Sequence, residues 1–93
     1  MISITQQETI KQTAEKLNPS LIGVFGSYAR GDQESESDLD LLIDFHSQVN
    51  LLDIIGLEQE LSEILKIKVD LVTVNSVNNR LKPYIQQDLI RIL

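Results

Sequence analysis

Leu21-Ile22-Gly23-Val24-Phe25 is an unbroken apolar run that stops abruptly at Gly26-Ser27. A strand with no polar alternation belongs inside a sheet covered on both faces. The chain is therefore expected to build an α/β (α+β) fold around it, with Gly26-Ser27 as the tight turn that follows. Tyr28-Ala29-Arg30 reads as the first turn of a short helix whose free amides point back at that turn, and Gly31 ends it.

A second strand is expected from Asp38 onward. There Leu39, Leu41, Ile43 and Phe45 point one way, while Asp38, Asp40, Leu42 and Asp44 point the other. Ile67 to Val74, rich in β-branched residues and interrupted by one carboxylate, Asp70, reads as a third strand. Helices are expected around these. Thr5-Gln6-Gln7-Glu8 has the form of a capping box, and Ile10, Ala14 and Leu17 follow at helical spacing until Asn18-Pro19-Ser20 stops them. Asn50 is placed to cap a helix carrying Leu51, Ile54, Leu57, Leu61 and Leu65, with Asp53 in its favourable first turn. The tail from Val77 to Leu93 reads as mainly helical, with Pro83 opening a final helix or kinking a longer one. The expected order is α-β-α-β-α-β-α.

The chain has 93 residues and 42% hydrophobic content, which suits one compact domain over residues 1–93 with one modest core. It has no cysteine, so disulfide and thiolate-metal chemistry are excluded. No apolar stretch is long enough to span a bilayer, and a soluble, cytoplasmic protein is expected with no membrane partner. Fourteen acidic residues against eight basic ones give a net charge of −6. That charge argues against direct binding to nucleic acid phosphates.

The acids are clustered. Asp38 and Asp40, two apart on a strand, project from one face and repel each other. Unless one is protonated the pair asks for a cation, and oxygen-only ligands favour Mg²⁺ or Mn²⁺. The bland alternative is two exposed acids on an edge strand. If the third strand lies beside the second, Asp70 brings a third carboxylate to the same place. Gly26-Ser27 supplies a close backbone approach, free amides and a hydroxyl, all suited to phosphate. Arg30 either touches phosphate or pins the acidic loop through a salt bridge. Asp44 lies further along the strand and reads as solvated. His46, the only histidine, reads as a loop residue. Tyr28 stacks or packs. Leu81, Tyr84, Ile85, Leu89, Ile90 and Ile92 are either core or an apolar face for another chain.

Gly26-Ser27-Tyr28-Ala29-Arg30-Gly31, followed after a polar loop by Ser37-Asp38-Leu39-Asp40-Leu41-Leu42-Ile43, resembles the nucleotidyltransferase superfamily that includes DNA polymerase beta. The resemblance is closest to its minimal nucleotidyltransferase branch. It covers residues 20 to 75 by motif and most of the chain by element order. It implies a small mixed sheet flanked by helices, ATP or another nucleoside triphosphate as donor and two metal ions, Mg²⁺ or Mn²⁺. It further implies that Gly26 and Ser27 grip the triphosphate and that Asp38, Asp40 and Asp70 ligate metal, Asp70 also helping to activate the attacking hydroxyl.

The branch commonly supplies the antitoxin of a toxin–antitoxin pair. The resemblance thus implies transfer of AMP to a tyrosine hydroxyl on a partner HEPN ribonuclease toxin within a hetero-oligomer. Two alternatives stand beside it: an antitoxin that masks its toxin by binding alone, and transfer to a small molecule. The chain's size leaves little mass for an acceptor-binding domain, so the acceptor is expected to bring its own surface.

Overall fold

The computed structural model describes residues 2–93. Its first helix, α1 (Ile4–Ala14), starts two residues earlier than the sequence suggests. Ser3, and not Thr5, is the cap. Its hydroxyl accepts from the Gln6 amide at 3.1 Å, while the Gln6 side chain accepts from the Ser3 amide at 2.9 Å. Both frames satisfy the same capping pattern, and the earlier one also leaves Ile2 buried in the core. Glu8 pairs instead with Lys11 at 3.0 Å. The helix tightens into a 3₁₀ turn over Glu15–Leu17, and Asn18 at φ 54° reverses the chain. That reversal is sharp enough for β1 (Pro19–Phe25) to begin at once, earlier than the apolar run alone indicates. Proline is tolerated as a strand's opening residue.

A glycine turn leads into α2 (Ser27–Arg30), and a polar loop leads to β2 (Leu39–Phe45). Asn50 caps α3 (Leu51–Leu65), its side chain accepting from the Asp53 amide at 2.8 Å. Then come β3 (Val69–Thr73), a 3₁₀ turn over Val74–Ser76, α4 (Lys82–Asp88) with Pro83 in its first turn, and β4 (Ile90–Arg91).

Among the described residues four strands form one mixed sheet in the order β3-β2-β1-β4. β1 is antiparallel to both β2 and β4, and β2 is parallel to β3. β2 alternates as expected: Leu39, Leu41 and Ile43 are almost fully buried and join Ile10, Ala14, Leu57 and Leu61 in one core. α1 and α3 cover that face. α4 lies on the other, where Ile85 and Leu42 line a shared small cavity.

β4 corrects the expected helical tail. Its alternation, Ile90 and Ile92, is too short to register as a strand pattern. The backbone of β1 requires it nonetheless, because an internal strand needs partners on both edges. Ile92 and Leu93 amides donate to the Ile22 carbonyl at 2.9 and 3.1 Å. Gly23 makes room: a Cβ there would meet Leu89 Cδ1 at 2.5 Å. The opposite edge is closed by side chains. Ser62 Oγ accepts from the Val69 amide at 3.0 Å and Glu58 from the Leu71 amide at 2.8 Å, so α3 satisfies the outward donors of β3.

The burial difference along the chain makes a direct expectation. Leu41→Ala removes a fully buried side chain and should cost about 2–5 kcal/mol in urea unfolding. Leu52→Ala, at a position 78% exposed, should stay within about 0.5 kcal/mol of the parent.

Candidate active site

The cross-strand register of β1 and β2 sets Phe25 opposite Asp40. Gly26 therefore leaves the sheet directly beside that carboxylate. Its backbone, at φ 74° and ψ −153°, is in a region that side-chain-bearing residues avoid. A Cβ added at Gly26 would collide with Asp40 Oδ2. Glycine is thus required twice over, by conformation and by the carboxylate lying against the turn. The turn passes into α2, whose first residue, Ser27, makes no side-chain hydrogen bond among the described residues. Its hydroxyl is available to an anion, while the Ala29 and Arg30 amides already donate to the Gly26 carbonyl, each at 3.1 Å. Gly31 at φ 83° closes the helix.

β3 places Asp70 as the register partner of Asp40 across the parallel pair. This is the strand pairing that the sequence only suggested, and it brings the two carboxylates side by side. Asp38 stands one residue ahead of β2, slightly outside the strand expected there, yet keeps the parity of Asp40. The ladder reaches it, since the Leu39 amide donates to the Lys68 carbonyl at 2.9 Å. Lys68 Nζ also lies 3.8 Å from Asp38 Oδ2.

Burial is the main cause that raises the Asp40 carboxyl above the ordinary carboxylate range; the charges of Asp70 and then Asp38 add to it, and Arg30 opposes it. Three oxygen-donor side chains at neighbouring strand positions suit a hard divalent cation. Among the described residues no three acidic side chains already surround a common point.

Arg30 spans the other side. Its Nη1 donates to Asp88 Oδ2 at 2.7 Å and its Nε to Asp32 Oδ2 at 3.1 Å. The hydrogen bond to Asp88, followed by that to Asp32, raises its pKa. Of the two roles open to Arg30, the structure displays the pinning of the acidic loop. It adds a tie to α4 that the sequence does not signal, because Asp88 is 58 positions away. The loop is further fixed by Ser37, whose hydroxyl accepts from the Glu34 amide at 2.8 Å.

Gly26, Arg30, Asp40, Asp70 and Asp88 line one cavity of about 420 Å³, walled on its far side by α4. Tyr28 packs into the core and does not face it. Asp44 accepts from the Phe45 amide at 3.0 Å and, with the exposed His46, lines a different cavity, apart from Asp40 and Asp70.

A raised Asp40 makes the folded state hold a proton that the unfolded chain has released. Its contribution to stability is complete below the unfolded carboxylate range and is lost as pH rises through the folded value. Asp40→Asn should therefore raise the melting temperature at pH 7 in chelator-treated protein. It should also flatten the decline of wild-type stability between acid and neutral pH, as followed by circular dichroism.

Over residues 8–93 the chain matches the family described as polymerase beta, nucleotidyltransferase. A Methanocaldococcus jannaschii protein named "Putative protein adenylyltransferase MJ0126" is 48% identical over 83 residues, covering 88% of this chain and 85% of its own. Protein adenylyltransferase MntA of Thermococcus cleftensis is 33% identical over 97 residues, covering 99% and 98%. Among solved structures, a toxin–antitoxin with AMP-PNP superposes at a TM-score of 0.84 and 25% identity, over 94% of this chain and 72% of that one. A tri-AMPylated Shewanella oneidensis HEPN toxin in complex with MNT antitoxin shares the fold, at 0.77 and 21% identity over 96% and 70%. The glycine-serine turn beside paired aspartates thus sits in a chain that belongs to the polymerase beta nucleotidyltransferase family.

Proposed function

We propose that this chain is an antitoxin that transfers AMP from ATP to a tyrosine hydroxyl of a partner HEPN ribonuclease toxin, silencing it. The observation that carries the reading is the contact of Gly26 with Asp40 next to Asp70. It joins a phosphate-accepting turn to a cation-demanding pair of carboxylates. The protein adenylyltransferase relatives and the toxin–antitoxin structure with AMP-PNP support it.

In this reading Gly26 and the free Ser27 hydroxyl hold the triphosphate, and Asp38, Asp40 and Asp70 hold Mg²⁺ or Mn²⁺. Two such ions, when bound, neutralise the charge that develops at the α-phosphorus and on the leaving pyrophosphate. Asp70, on the edge strand, accepts the proton of the incoming tyrosine hydroxyl. The tyrosine oxygen forms a bond to the α-phosphorus, the bond from that phosphorus to the bridging oxygen breaks, and pyrophosphate departs. Arg30 lies close enough to the cavity to exchange Asp88 or Asp32 for phosphate oxygens.

A masking antitoxin is the second reading. Leu51 and Leu52 at the start of α3, with Ile4 on α1, leave apolar side chains in solvent that a partner's surface could cover. The two readings part on covalent chemistry.

Incubation of the toxin with this protein, ATP and Mg²⁺ should add one or more AMP groups by intact-mass analysis. Asp38→Ala and Asp40→Ala should each slow that transfer by about a hundredfold or more, and EDTA should stop it. A toxin fully neutralised yet unmodified would replace this reading with masking.

A further inference from the structure

We infer that Leu81 and Tyr84 form the seat for the nucleobase of the donor nucleotide, at the end of the cavity away from Arg30. This inference rests on the nucleotidyltransfer reading and assigns it residues outside the Gly-Ser and aspartate motifs.

α4 follows β3 at one edge of the sheet and leads into β4 at the other, so it crosses the whole sheet. Asp88, at its end, is fixed to Arg30. At 1.5 Å of rise per residue, Tyr84 lies about 6 Å and Leu81 about 10 Å back along the helix axis from Asp88. The same cavity therefore passes from the Gly26 turn and Arg30, across Asp40 and Asp70, to an apolar end. With phosphates at the glycine turn and the α-phosphorus at the carboxylates, that apolar end is where a base belongs.

Tyr84 is 70% exposed and Leu81 52%. An aromatic ring left in solvent on a cavity wall, three residues from an exposed leucine, offers a face on which any base can stack. Asn78 adds a polar group at the same end. Its Oδ1 accepts from the Arg80 and Leu81 amides at 3.0 and 3.1 Å. Only its Nδ2 donors remain to meet a ring nitrogen or carbonyl acceptor.

The test is calorimetric titration of the full chain with ATP and, separately, with inorganic tripolyphosphate, each with Mg²⁺. Tyr84→Ala should weaken ATP at least about fivefold and leave tripolyphosphate unchanged, while Tyr84→Phe should bind both as wild type does. Parallel loss of both ligands would overturn the inference in favour of a structural role for Tyr84. Unchanged ATP affinity with slower transfer would also overturn it and make the same wall an acceptor surface. Failure of wild type to bind either ligand would remove the nucleotidyltransfer reading itself.

Discussion

The register between β1 and β2 is the constraint on which the rest of the site depends. Antiparallel pairing of Phe25 with Asp40 determines that the turn leaving β1 emerges beside an acid on β2. A slip of one residue would turn Asp40 toward the core and Leu41 toward the turn. The apolar face of β2 prevents this, because Leu39, Leu41 and Ile43 cannot leave the core without exposing three large side chains. Core packing and site geometry are thus one choice of register, and the shared parity of Asp38 and Asp40 is held in place by Leu39, Leu41 and Ile43.

That coupling explains what could be read from sequence. Alternation in β2 announced both the buried leucines and the aligned aspartates, and Gly26-Ser27 announced its turn, since each signal spans only a few residues. Asp70 was legible as an acid in a strand, but its place beside Asp40 came from the parallel pairing across α3. Asp88 and β4 were not legible. Asp88 gains meaning only when α4 returns to Arg30, and β4 is defined by the hydrogen-bond demand of β1 more than by its own residues. The N-cap is ambiguous in sequence for a different reason: two overlapping frames meet the same local rule, and burial of Ile2 accompanies the frame adopted.

The sheet closes its two edges by different means, and both serve the site. On the β3 side, Glu58 and Ser62 of α3 occupy the outward amides of Leu71 and Val69. These residues flank Asp70, so the strand that carries the third carboxylate is held from outside while its inward ladder bonds β2. A charge-assisted bond from a carboxylate to a backbone amide is stronger than a neutral one. The strand segment that carries Asp70 is therefore held by hydrogen bonds on both sides.

On the β1 side, closure and site completion fall to one continuous segment. α4 walls the cavity, its last residue holds Arg30, and the next turn of chain becomes β4 over Gly23. Gly23 admits Leu89 at a distance no larger side chain would allow, so the smallness of one residue in β1 sets how closely α4 can end against the sheet. Because that end carries Asp88, the position of the guanidinium near the carboxylates follows from the packing of Leu89. The last part of the chain to appear in sequence is in this way the part that brings the acids, the arginine and the apolar wall into one cavity. Strand register alone joins the Gly26 turn to Asp40 and Asp70, and the long-range contacts of α4 add to them the fixed arginine and the apolar wall.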